Sequence, residues 1–81
     1  MDAQRFYRKR PPGGSTDEWL VYDVKTDKQV GDLFQVPFGG GWEWHYIRDG
    51  VIICGDVAVQ QYQAFREIER LLDGECTQPL I

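Results

Sequence analysis

The chain is short of the side chains from which metal, redox and imidazole chemistry are built: two cysteines, one histidine and one methionine in 81 residues. Two thiols do not complete the four-ligand shell of a structural zinc site. The acidic residues show no calcium-loop spacing. Gly39-Gly40-Gly41 lacks the Lys-Ser/Thr that completes a phosphate loop, and no helical pattern follows it. No metal and no cofactor is therefore expected. No apolar run approaches the roughly 20 residues of a membrane-spanning helix, and none follows the basic start as the core of a secretory leader. The expectation is a cytoplasmic protein without membrane contact.

Positive charge is scarce beyond the first residues. The net charge is −4, yet residues 1–14 hold Arg5, Arg8, Lys9 and Arg10 against Asp2 alone. The remainder carries five basic and twelve acidic side chains, and an acidic body repels nucleic acid. A nucleic-acid site would have to lie in Arg5, Phe6, Tyr7, Arg8, Lys9 and Arg10, where two aromatics could stack on bases while the cations meet phosphates. The plainer reading is a solvated tail, or a short strand whose aromatics dock on the domain edge. Pro11-Pro12-Gly13-Gly14 then reads as a joint. Residues 1–16 are accordingly expected as a flexible basic segment and residues 17–81 as a single α+β domain.

Aromatic residues are plentiful, with three Trp, four Tyr and four Phe, which supplies buried area to a small core. Ala58, Tyr62, Phe65, Ile68 and Leu72 recur at helical spacing, widened by Val57, Ala64 and Leu71. The pattern predicts a C-terminal helix from Val57, capped by Asp56 and closed by Gly74. Two hairpins are predicted before it. Asp23–Lys28 is the first loop, with Asp23 accepting bonds from the turn and Asp27 left-handed. A register pairing Val21 with Val30 and Trp19 with Asp32 puts Phe34 beside Val30 and Leu33 on the opposite face. Asp49-Gly50 makes the second turn. Pairing Tyr46 with Ile53 and Trp44 with Gly55 sets Trp42, Trp44 and Tyr46 on one face, and His45, Ile47, Ile52 and Cys54 on the other. The fold class is therefore α+β, a four-stranded antiparallel sheet of two β-hairpins with one C-terminal helix on one face.

Chemistry has few candidates. His45 has Glu43 on its own side and Cys54 across from it, but that pair reads as structural and the chain as non-enzymatic. Cys54 and Cys76 flank a helix of about 25 Å, too far apart for an intrachain disulfide. The apolar tail Leu80-Ile81 is expected to fold back onto the domain. One helix covers only one face of a sheet, so Leu33, Ile47 and Ile52, with Trp42 on the aromatic face, form the candidate partner surface. The leading expectation is a protein-interaction module, self-association through a sheet face or edge included. Nucleic-acid binding through the N-terminal segment is the alternative, and an acidic inhibitor of a nucleic-acid-binding complex from a mobile element is a third.

Overall fold

The computed structural model describes residues 5–13 and 16–74. Cys76, Leu80 and Ile81 lie outside these residues. Five strands form one antiparallel meander in chain order: β1 (Phe6–Lys9), β2 (Glu18–Asp23), β3 (Gln29–Gln35), β4 (Trp42–Arg48) and β5 (Val51–Ala58). A single helix, α1 (Gln61–Leu72), packs across one face. The α+β class is as expected, but the sheet has five strands rather than four. The fifth is β1, from within the segment expected to be a flexible tail. Phe6 holds it in place: the ring is buried and stacks on Phe65 at 6.2 Å.

The turns form where local chemistry dictates. Asp23 N–H donates to the Lys28 carbonyl at 2.9 Å, Asp23 Oδ1 accepts from Lys25 N–H at 2.7 Å, and Asp27 is left-handed with φ 59°. Asp49 and Gly50 have φ 53° and 79°, the pair of positive values a two-residue type I′ turn requires. Gly74 ends the helix at φ 84°, its N–H on the Leu71 carbonyl at 3.1 Å.

Two bulges correct the predicted faces. Val21 pairs with Gly31 and Tyr22 with Gln29, so Val30 is an extra residue. Trp19 consequently meets Leu33, not Asp32. Leu33 therefore turns toward α1, where it is fully buried, and Phe34 turns away. In the second hairpin Tyr46 pairs with Cys54 and Ile47 with Ile52, leaving Ile53 extra. Cys54 thus shares the helix side with Tyr46, and the residue opposite His45 is Gly55. A bulge adds one residue to one strand, and the two-residue period of a strand then inverts every face beyond it.

The helix begins later than predicted. Val57 and Ala58 extend β5 to match the full length of β4, with Ala58 opposite Trp42. Asp56 is a strand residue whose carboxylate accepts from Val57 N–H at 2.8 Å. The helix instead starts after Gln60. Gln63 Oε1 accepts from the N–H groups of Val59 and Gln60 at 3.1 and 3.0 Å, quenching donors at the helix entry. Ala64 and Ile68 are its buried residues, with Phe65, Leu71 and Leu72 packed alongside. Tyr62, predicted in the buried stripe, is mostly exposed. The core is Phe6, Val21, Val30, Leu33, Trp44 and Tyr46 beneath this helix. No helix among the described residues is long and apolar enough to cross a membrane.

Candidate functional site

The two edges of the sheet differ in kind. β1 is four residues long, contains Arg8 and Lys9, and runs into Arg10-Pro11-Pro12. Short length, cations and proline are the devices that stop a sheet edge from pairing further. β5 is eight residues long and carries one charge, Asp56. Its outer edge meets no strand among the described residues. The relative exposures of Val51, Ile52, Ile53 and Val57 are 59, 55, 45 and 55 %, and Val59 just beyond reaches 72 %. In an antiparallel strand alternate residues point their N–H and C=O groups away from the paired neighbour, so β5 offers a backbone template flanked by apolar side chains.

A groove of about 710 Å³ runs between β5 and α1, with Trp44 and Ala58 along it and Asp56 at its strand side. Arg66, Glu67 and Arg70 form the helical wall, Arg70 donating to Glu67 at 2.6 Å. The helix packs chiefly over β4 and β3 in the middle of the sheet, and the groove lies between its outer side and β5. Arg5 binds Asp73 and Glu69 at 2.8 and 3.2 Å, and Arg8 donates to Gln61 at 2.6 Å. These long side chains tie both ends of the helix to the β1 end of the sheet. The hydrogen bond to Arg5 holds the Asp73 carboxyl below its ordinary range, and the Arg5 guanidinium is raised in return.

The sheet face away from α1 carries a polar centre. His45 Nδ1 lies 2.7 Å from Asp32 Oδ1, and Nε2 lies 3.1 Å from Glu43 Oε2. Both ring nitrogens can donate to ionised carboxylates only when the ring is doubly protonated. Burial raises Asp32 above the usual carboxylate range, opposed by its hydrogen bond to His45. Phe34 meets the imidazole edge-on at 6.0 Å. Gly55 makes room for the ring, since a Cβ there would come 2.6 Å from His45 Cδ2. The Glu43–His45 pair read from sequence is present. The Cys54–His45 arrangement is not, because the bulge moves Cys54 to the other side.

Of the predicted partner residues, only Ile52 stays exposed. Leu33 is in the core, Ile47 is buried on its own face, and Trp42 is half-buried on the helix side. The predicted nucleic-acid cluster folds onto the sheet. Arg8 and Arg10 lie over Trp19 at 4.3 and 3.6 Å, and Arg10 donates to the carbonyls of Thr16 and Glu18 at 2.6 and 3.1 Å. Lys9 lies over Tyr22, on which Tyr7 stacks, and the Tyr7 hydroxyl donates to Asp27, which raises the phenol.

Sequence reasoning missed Val57, Val59 and Phe38. The first two were absorbed into the helix pattern. Phe38 stands fully exposed at φ 61° in the turn Pro37–Gly39, and its signal was a lone aromatic between proline and three glycines. No family model, no curated protein and no solved structure matches the chain.

Proposed function

We propose that the protein is a non-enzymatic interaction module that docks an extended segment along the open edge of β5. The observation that carries this reading is the contrast between the edges, one short and charged, the other eight residues long and apolar. Strand addition draws affinity from main-chain hydrogen bonds and specificity from alternate side chains. Ile52 and Val57 would supply the contacts on one face, and the groove against α1 would receive side chains on the other. Three of the four N-terminal arginines and lysines that a nucleic-acid reading requires are engaged by carboxylates, tryptophan or carbonyls within the fold. That engagement favours the edge.

The test is chemical cross-linking in native extract, comparing the wild-type chain with Ile52→Lys/Val57→Lys. Both positions are half-exposed, so the fold tolerates the substitutions while lysine blocks the edge. Products that depend on the unmodified edge are expected. Products indifferent to the two lysines would sink the reading.

A further inference from the structure

Resting on that edge-docking reading, we infer that the occupant of β5 is a second copy of this chain. The copy adds antiparallel about a twofold axis, so that two five-stranded sheets become one of ten. Edge geometry leads there first. A head-to-tail contact of β1 on β5 would repeat without closing, whereas a contact using the same edge twice closes after two copies. The β1 edge is blocked by its length, Arg8, Lys9 and the proline pair that follows. One usable edge permits only the closed arrangement.

Composition leads the same way. With Asp56 its single charge, β5 selects neither an acidic nor a basic segment, while another β5 presents matching Val and Ile side chains. The groove beside it holds two acids, Asp56 and Glu67, and two bases, Arg66 and Arg70. Arg66 is in no ion pair among the described residues. A twofold axis through β5 sets the strand carboxylate of one copy toward the helical arginine of the other. In the single chain Asp56 holds the N–H of Val57. A carbonyl from the second copy would take that N–H and release the carboxylate to Arg66 across the interface.

The experiment is sedimentation equilibrium of the full chain over micromolar concentrations. A concentration-dependent dimer is expected. Ile52→Lys/Val57→Lys should raise its dissociation constant by about tenfold or more, since like charges then meet across the pair. Asp56→Arg and Arg66→Glu should each weaken the dimer, and an equimolar mixture of the two should restore it. That mixture keeps the test decisive even where the double-lysine variant fails to fold. A wild-type chain that stays monomeric throughout overturns the second copy, while edge-dependent cross-links in extract would still uphold docking. A dimer that keeps its affinity in the lysine variant and shows no recovery on mixing also overturns the second copy at this edge, and extract cross-links indifferent to the two lysines overturn docking itself.

Discussion

Gly31 lies directly beneath Ile68, with no room between them for a methyl group. A Cβ at Gly31 would fall 2.8 Å from Ile68 Cδ1 and 2.6 Å from the His45 carbonyl oxygen. The helix rests on bare backbone at this point. Gly31→Ala should therefore push α1 off the sheet and cost about 1–3 kcal/mol, the usual range for overpacking. Urea denaturation checks it, and an unchanged midpoint would mean that Ile68 moves aside freely.

Phe6 fixes β1 to the rest of the molecule by burying its ring against Phe65. Phe6→Ala should cost about 3–5 kcal/mol, a large share of the stability available to so small a domain. Tyr62→Ala, on the exposed side of α1, should stay within about 0.5 kcal/mol. Equal losses for the two variants would contradict the placement of β1.

These two residues mark what was legible from the sequence. Short-range signals could be read directly: Asp49-Gly50, the Asp23–Lys28 loop, Gly74 and the Ala64-Ile68-Leu72 stripe each depend on neighbours a few positions away. Phe6 does not, because its value as a strand residue depends on Phe65 in a helix at the far end of the chain. The bulges at Val30, beside a turn, and at Ile53, inside an apolar run, leave no mark in the sequence, and each reverses the face of everything after it, which is why Leu33 and Cys54 lie on the side opposite to the expected one. Val57-Ala58-Val59 satisfies both the strand and the helix period. Only the length of β4, which Ala58 completes opposite Trp42, decides between them.

Asp32 gives the protein a pH dependence of unusual sign for a carboxylate. Burial raises its folded-state pKa above the unfolded value of about 3.9. The folded state therefore binds the proton more tightly, and the Asp32 contribution falls as pH rises from the unfolded pKa through the raised folded one. His45 and Glu43 face the same carboxyl. Asp32→Asn should remove that downward slope in a plot of unfolding free energy against pH. A slope that survives the substitution would assign it to another group.

Asp73 behaves in the opposite way. Arg5 lowers its folded pKa, so its contribution is present above the unfolded pKa and lost as pH falls through the folded value. Asp73→Asn should flatten the acid limb of the thermal stability profile, and added salt should shrink the difference from wild type because both side chains are near water. An acid limb identical in both chains would show that the Arg5 contact is not made in solution.

Because every strand pairs with its successor, the sheet can assemble in the order in which a ribosome releases the chain. The helix is the exception, since it follows all five strands and closes contacts as distant as Arg5 with Asp73, 68 positions apart. Until Ile68 emerges, Val21, Leu33 and Trp44 form the bare underside of an unfinished sheet. The unfinished sheet is thus exposed to aggregation until α1 has been made, and the synthesis of that one helix, more than of any strand before it, determines whether the domain survives.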